Sequence, residues 1–282
     1  MKKAYNINQL RDYSCLFSRS EVNRWIDNDF DSVNLKIRRY DDKIAKTTYL
    51  KYLKSVYKVL QKFYANEYVY KNEFLNQWLI KELGSEKSII FNEFRLGKAV
   101  ADLVMFNGCS RVFEIKTLLD KESRLNSQLE EYKKIFNEIY LIIPNSKIET
   151  YKNYHESIGL IAYNQEKKEF LLVRKAIKNH SIDTDSIMKI LHTKEYRNIV
   201  KEYYGEIPIC NDFEQFNVCK KLIEEIPQEE LSKLFIETMK QRKIFNRFSS
   251  NYKEFNQICL SLNLTDKQKE KLFINLNSTI VY

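Results

Sequence analysis

The hydrophobic period of this chain changes twice, and these changes restrict its fold more than any other feature. Up to about residue 84, and again beyond residue 175, apolar residues recur at the spacing of helices. Between these regions, short runs rich in Ile, Val and Phe predict strands at residues 88–94, 100–106, 111–116, 139–143, 159–163 and 169–173. A helical period over residues 123–137 interrupts them. The pattern predicts an α/β (α+β) fold in which helices flank a central mixed sheet.

The dipeptide Asn107-Gly108 separates the second and third predicted strands. Asn-Gly is typical of β-hairpins, because both residues tolerate a positive φ. We therefore expect residues 100–106 and 111–116 to pair antiparallel.

The helical regions predict the domain organisation: residues 1–70 as an N-terminal extension, 71–175 as the core and 176–282 as a C-terminal region. A helix is predicted over residues 71–83, with Gly84 in the position of a left-handed C-cap. The C-terminal helices are predicted at residues 186–191, 194–204, 212–226, 228–242 and 253–262.

The clearest amphipathic helix covers residues 46–64, and one side of it is basic. Spacings of three and four residues place its lysines on that side: Lys51, Lys54, Lys58 and Lys62. A solvated face and a track for phosphate groups both explain such a stripe.

The composition predicts a folded, cytoplasmic protein. The chain has 282 residues, 44% of them hydrophobic, with 5 Gly and 3 Pro, and no run approaches the roughly 20 apolar residues of a membrane span. Five cysteines are scattered without a C-x-x-C spacing, which argues against a disulfide framework and a zinc site. The chain also lacks a P-loop and an H-E-x-x-H helix, which excludes those classes of enzyme.

The net charge of +9 favours a polyanionic partner such as nucleic acid. The bias toward Lys, Asn, Ile and Tyr would also follow from an AT-rich genome. The charge therefore supports nucleic-acid binding without establishing it.

Charged residues interrupt two of the predicted buried strands. Asp102 lies within an apolar run, and Glu114 and Lys116 share one face of the next strand. Burying such charges is costly unless they are paired or bind a metal. Across the predicted hairpin, Asp102 and Glu114 would lie close together, which suits Mg²⁺ with its preference for oxygen ligands. An ion network at an exposed sheet edge is the alternative.

The ordered set of helix, strand with Asp102, strand with Glu114-Ile-Lys116, and helix with Gln128-x-x-x-Tyr132 resembles the PD-(D/E)XK phosphodiesterase superfamily over roughly residues 70–145. With Arg124-Leu125 it is similar to a largely uncharacterised bacterial PD-(D/E)XK-like group that has an E-I-K, R-L and Q-x-x-x-Y signature. Ala101 stands where the superfamily name has proline. The resemblance implies a restriction-endonuclease-like sheet.

The resemblance also implies roles for individual residues. Asp102, Glu114, Glu73 and the backbone carbonyl of Ile115 would bind Mg²⁺ or Mn²⁺, and Lys116 would activate water or stabilise charge. Gln128 would position a ligand, while Tyr132 is either functional or part of the core. Glu67, Glu82 and Glu93 compete with Glu73 for the role of auxiliary acid. The candidate phosphate contacts are Lys98, Arg124, Lys51, Lys54, Lys58 and Lys62.

These observations predict a metal-dependent nuclease that hydrolyses DNA phosphodiester bonds. RNA stays open as a substrate, as do single and double strands, and an enzyme that cuts both strands would suit a homodimer. The alternative is a PD-(D/E)XK-like module that binds nucleic acid or protein without cutting. No membrane association is expected.

Overall fold

The computed structural model describes residues 4–42, 46–82, 88–120 and 122–281. The predicted C-cap at Gly84 lies outside these residues. In the first region the helices are α1 (Ile7–Cys15), α2 (Arg19–Ile26), α3 (Asp31–Tyr40) and α4 (Tyr49–Phe63). Three of them begin after a side chain that accepts a backbone N–H in the first turn: Asn6, Ser18 and Thr48. The helical N-terminal region is confirmed.

The next helical segment continues from Glu67 to Glu82 in three parts: α5 (Glu67–Phe74), a π-helical turn (Leu75–Leu79) and α6 (Ile80–Glu82). It begins four residues before the predicted start, because Asn66 accepts the N–H of Val69 and caps it. This earlier start matters for function, since it adds Glu67 to the helix.

The central sheet has six strands in sequence order: β1 (Ile89–Leu96), β2 (Ala99–Phe106), β3 (Ser110–Ile115), β4 (Glu138–Pro144), β5 (Gly159–Asn164) and β6 (Glu169–Arg174). The β3–β4 and β4–β5 pairs are parallel and the other three are antiparallel. Helix α7 (Leu125–Lys133) connects β3 to β4, and the short α8 (Ile148–Tyr151) connects β4 to β5. The predicted mixed sheet is confirmed.

The predicted hairpin between β2 and β3 is also confirmed. Phe106 pairs with Ser110, so the loop has three residues, and the Asn107 N–H donates to the Cys109 carbonyl. Only Gly108 of the Asn-Gly pair has a positive φ, at 86°. The glycine therefore supplies the left-handed residue that this turn requires.

The C-terminal region is helical as predicted. Its helices are α9 (Thr184–Met188), α10 (Thr193–Tyr204), α11 (Asp212–Glu225), α12 (Gln228–Lys240), α13 (Asn256–Ser261) and α14 (Asp266–Leu276). The sequence patterns did not indicate α14. None of the helices in the described ranges is long and apolar enough to cross a membrane.

Three hydrophobic clusters show how the helices cover the sheet. One face of the sheet packs against α7 and α9 to α12, and Phe106 of β2 contacts Phe235 of α12 at a centroid distance of 5.8 Å. The other face packs against α5 and the π-helical turn. The third cluster joins α1 to α4 with α13 and α14.

The two ends of the chain therefore share a core. Thr48 forms a β-bridge with Thr279, and the Ile280 N–H donates to the Thr47 carbonyl at 2.9 Å. The three-part division of the chain stays a prediction, but its C-terminal region packs in two places. Helices α10 to α12 cover the sheet, whereas α13 and α14 complete the N-terminal cluster.

Candidate functional site

An open cleft of about 720 Å³ lies at the end of the β2–β3 hairpin opposite its turn. Strands β2 and β3 supply Asp102, Glu114 and Ile115, and Lys116 follows β3 directly. Helix α7 contributes Gln128, and α5 contributes Glu67. The cleft thus brings together the two acids, the lysine and the glutamine that the sequence singled out.

The carboxylate of Asp102 lies where strands β2 and β3 separate. Their paired register ends at Leu103 and Phe113, and beyond it the Ile115 N–H donates to Asp102 Oδ2 at 2.7 Å. A side-chain carboxylate thus satisfies a strand amide. It also leaves the Ile115 backbone at the edge of the cleft, beyond the last β2–β3 pair, while Ile115 still pairs with Ile142 of β4.

A local shift in strands β1 and β2 accounts for this position. Successive residues of a strand normally face opposite sides, so Ala101 and Val104 should lie on different faces, yet both belong to the same hydrophobic cluster. The alternation therefore shifts at Asp102. In β1, Glu93 has a φ of 53°, a left-handed conformation that is uncommon for a residue other than glycine. The shift directs the Asp102 carboxylate toward β3 rather than into either hydrophobic core.

The carboxylate of Glu114 is almost completely buried and has two donors. Lys116 Nζ donates to its Oε1 at 2.9 Å, and the Tyr132 hydroxyl donates to its Oε2 at 2.7 Å. Lys116 Nζ also donates to Gln128 Oε1 at 3.2 Å. Gln128 and Tyr132 of α7 therefore contact Lys116 and Glu114, respectively. Tyr132 belongs both to the core and to the site.

Lys71 adds a second buried ammonium group to the site. Its Nζ lies 2.8 Å from Asp102 Oδ1 and 2.5 Å from Glu67 Oε1, and its side chain is only 4% exposed. Sequence analysis missed Lys71, because a lysine on a lysine-rich helix looks like a solvated residue. The only signal was the spacing of four residues from Glu67, which is typical of a helical ion pair.

The electrostatics of the site follow from burial and from an excess of acid. Burial raises the pKa of Asp102 to about 7, and the charges of Glu114 and Glu67 add to this, although the Lys71 ammonium opposes it. Burial alone would lower the pKa of Lys71, but Asp102 and Glu67 more than offset it and hold that pKa above its usual value. With Asp102 ionised, the carboxylates of Glu67, Asp102 and Glu114 face the ammonium groups of Lys71 and Lys116, so one negative charge of this network is unbalanced.

The cleft offers donor atoms of the kind that a divalent cation binds. A Mg²⁺ ion needs one or two carboxylates, with water and substrate oxygens completing its octahedron, and the Asp102 and Glu114 carboxylates and the Ile115 carbonyl are groups of that kind. Within the described ranges, no group of three His, Cys, Asp or Glu side chains is arranged to hold a metal. A metal here would therefore depend on the backbone carbonyl, water and substrate for its remaining ligands.

Glu73 does not belong to the cleft, which corrects its predicted role as a metal ligand. Its Oε1 accepts from the Tyr57 hydroxyl and its Oε2 from Gln77, both at 2.7 Å, so it faces α4. Glu67, six residues earlier, lines the cleft instead. Glu82 pairs with Arg111, and Glu93 pairs with Arg19, so neither takes the place of Glu73.

The predicted phosphate contacts fall into two groups. Lys98 and Arg124 are exposed and line the cleft. Lys51, Lys54, Lys58 and Lys62 line a separate groove of about 510 Å³ along α4. Lys54 differs from the others, since its Nζ donates to the Asn251 carbonyl at 2.6 Å and lies 3.6 Å from Glu254. The stripe thus presents three exposed lysines, and the fourth, Lys54, is half-buried and contacts the C-terminal region.

Comparison with known proteins places the chain in a family. The family model described as bacteriophage P4 protein cII matches residues 60–263, a span that contains the whole cleft. The chain belongs to the phage P4 cII family. Protein cII of Enterobacteria phage P4 is 25% identical over 134 residues, which are 46% of this chain and 51% of that protein. The chain therefore spans about half the length of this cII relative.

One solved structure also shows a distant likeness. A protein of unknown function from Silicibacter pomeroyi matches 47% of this chain and 87% of its own, with 12% identity and a TM-score of 0.32. That likeness is too weak to support a shared fold or function with this member of the cII family.

Proposed function

We propose that this protein is a Mg²⁺- or Mn²⁺-dependent nuclease of the PD-(D/E)XK type that hydrolyses DNA phosphodiester bonds. The observation that carries the proposal is the convergence of Asp102, Glu114, Lys116 and Gln128 in one cleft. Three separate elements contribute to this arrangement: β2, β3 with the residue that follows it, and α7. A solvated edge network would not require a buried Glu114 with a tyrosine and a lysine as donors.

Asp102, Glu114 and the Ile115 carbonyl are the groups that would hold the ion. When bound, a divalent ion of this kind polarises the scissile phosphate and lowers the pKa of a water molecule. The unbalanced negative charge of the network supports binding of a cation at this place. Tyr132 keeps Glu114 in one orientation, because its pKa is raised by burial and by the Glu114 charge and its hydroxyl stays protonated.

Lys116 is the residue that we assign to the attacking water and the reacting phosphate. Its ammonium is held from two sides, by Glu114 and by Gln128, so its position is restricted before substrate binds. The third N–H of an ammonium group is then available to a phosphate oxygen or a water. Gln128 acts here as a positioning residue.

The exposed cations at the mouth of the cleft fit a DNA backbone. Lys98 lies on the β1–β2 turn and Arg124 directly before α7, and both side chains line the cleft. Phosphate contacts of this kind orient a strand without reading its sequence. The net charge of +9 adds a long-range attraction.

A binding module that does not cut is the second candidate, and one observation favours it. Each carboxylate oxygen of Asp102 and Glu114 already accepts a hydrogen bond or ion pair from the protein itself. A site whose carboxylate oxygens all have partners within the protein can keep its structure without a metal. In that case the cleft would retain its shape and bind nucleic acid through Lys98 and Arg124.

The deciding experiment measures cleavage of labelled single- and double-stranded DNA, with RNA as a further substrate, in Mg²⁺ or Mn²⁺. The wild type is compared with Asp102→Asn and Lys116→Met, and Lys152→Met serves as control because Lys152 lies outside the cleft. We expect both site variants to lose at least a hundredfold in rate, with DNA affinity and folding retained. A wild type that binds DNA and never cuts would favour the binding module.

A further inference from the structure

Lys71 has no role in the function proposed above, although it is the most deeply buried ammonium group of the cleft. Its side chain is 4% exposed, whereas that of its partner Glu67 is 54% exposed. Removing an ammonium group from water is costly unless it is paired and hydrogen-bonded on several sides. Glu67 and Asp102 supply that pairing from one helix and one strand.

The Lys71 ammonium lies between two carboxylates, a place that a metal ion could also occupy. In two-metal sites the ions lie about 3.5–4 Å apart and share a bridging carboxylate, with a second acid on the far side. Asp102 and Glu114 are the positions next to the last β2–β3 pair, and Asp102 shares the Lys71 ammonium with Glu67. Lys71 Nζ lies 2.8 Å from Asp102 Oδ1 and 2.5 Å from Glu67 Oε1. A second ion bridging those two acids would have to occupy the same volume.

We infer that Lys71 is a built-in cation that replaces a second metal ion, so that the cleft binds one divalent ion between Asp102 and Glu114. This inference rests on the proposed function. With Lys71 present, the three carboxylates carry one unbalanced charge. Without it they carry two, since only the Lys116 ammonium remains. Glu67 and Asp102 would then face each other without a counter-ion, which is an arrangement that attracts a divalent cation.

The number of bound Mn²⁺ ions tests the inference without reference to activity. Electron paramagnetic resonance of free Mn²⁺ would be titrated against wild type, Lys71→Met and the double variant Lys71→Met/Glu67→Gln. We expect one ion for the wild type, two for Lys71→Met, and one for the double variant, which has the charge of the wild type but lacks the second acid. Lys98→Met removes a cleft cation that has no ion pair in the described network, and should leave one ion.

The outcomes separate this inference from the proposed function. One ion in both wild type and Lys71→Met, lost in Asp102→Asn, would overturn the inference and leave the metal site intact. Two ions in the wild type would also overturn it. No ion in the wild type but one in Lys71→Met would overturn the metal-dependent function and, with it, the inference of one ion between Asp102 and Glu114. No ion in either protein would overturn both.

A second measurement needs no variant and covers the case in which Lys71→Met fails to fold. Wild-type lysines are labelled with an amine-reactive reagent, with and without Mn²⁺, and Lys71 is followed by mass spectrometry. We expect Lys71 to stay protected in both conditions, while exposed Lys98 is labelled. Labelling of Lys71 only when Mn²⁺ is present would mean that the ion displaces the ammonium, which contradicts the inference.

Discussion

The hydroxyl of Tyr132 donates a hydrogen bond to Glu114 Oε2 at 2.7 Å, and both residues are buried. This contact joins helix α7 to strand β3 below the floor of the cleft. It satisfies one oxygen of a carboxylate that water hardly reaches. The stability of the fold and the orientation of a candidate metal ligand therefore depend on the same hydroxyl group.

Replacing Tyr132 by phenylalanine should destabilise the protein by about 1–3 kcal/mol, since a buried carboxylate oxygen loses its donor. Urea denaturation followed by circular dichroism measures the change. Tyr140→Phe is the matched control, because the Tyr140 hydroxyl lies 3.4 Å from Glu138 and the residue is only half-buried. Equal losses of unfolding free energy in the two variants would show that the Tyr132–Glu114 hydrogen bond contributes no more to stability than the Tyr140–Glu138 contact.

Lys58→Glu and Lys54→Glu should behave differently, although both residues belong to the same basic stripe. Lys58 is exposed, so its reversal should weaken DNA binding and reduce the salt slope by about one phosphate contact or more. Lys54 contacts Asn251 and Glu254, so its reversal should mainly lower the melting temperature. Salt-dependent binding and thermal unfolding separate the two effects. Unchanged affinity and slope in Lys58→Glu would remove α4 from the proposed DNA path.

The ion pair of Glu195 with Arg242 should stabilise the protein at neutral pH and not in acid. Burial alone would raise the pKa of Glu195, but the hydrogen bonds and charge of Arg242, with the His192 N–H, more than offset it and lower that pKa below 4.5. A lowered pKa means that the contribution is present above the unfolded pKa and is lost as pH falls through the folded value.

Glu195→Gln tests this dependence, because glutamine can keep the cap of α10 while it removes the charge. We expect the variant to be less stable than the wild type near pH 7, and this difference to shrink as pH falls below about 4.5. Glu230→Gln is the control, since Glu230 and Lys233 form an exposed pair that contributes little. A stability difference independent of pH would contradict the assignment.

Phe235→Ala should cost about 3–5 kcal/mol, because Phe235 is fully buried where α12 packs on the sheet. The sheet and α12 share one hydrophobic cluster, so we expect tryptophan fluorescence and circular dichroism to report the same unfolding transition. Phe213→Ala, at a residue that is 95% exposed, should change stability by less than about 0.5 kcal/mol. Separate transitions would indicate that the clusters around Trp25 and Trp78 unfold independently of the cluster that contains Phe235.

The sequence alone determined the class of fold and the strands that carry the acids. The periods of the central segments and the Asn-Gly turn are local features, and they correctly predicted that β2 and β3 pair antiparallel. Once that pairing is known, Asp102 and Glu114 must be near one another, because they lie one position beyond the last pair of the register. The contact of Lys116 with Glu114 follows from their spacing along one strand.

Only the tertiary structure decided which acid of α5 faces the cleft and which lysines are free. Glu67 and Lys71 lie one helical turn apart on one side, whereas Glu73, two residues further on, points to α4. The helical period in the sequence cannot predict which side of the helix faces the cleft, since both sides pack against other parts of the protein. Lys54 is likewise held by residues some two hundred positions later in the chain. Local sequence patterns determine the helices and strands. The neighbours of a side chain depend on packing between distant segments, and local patterns carry no information about that packing.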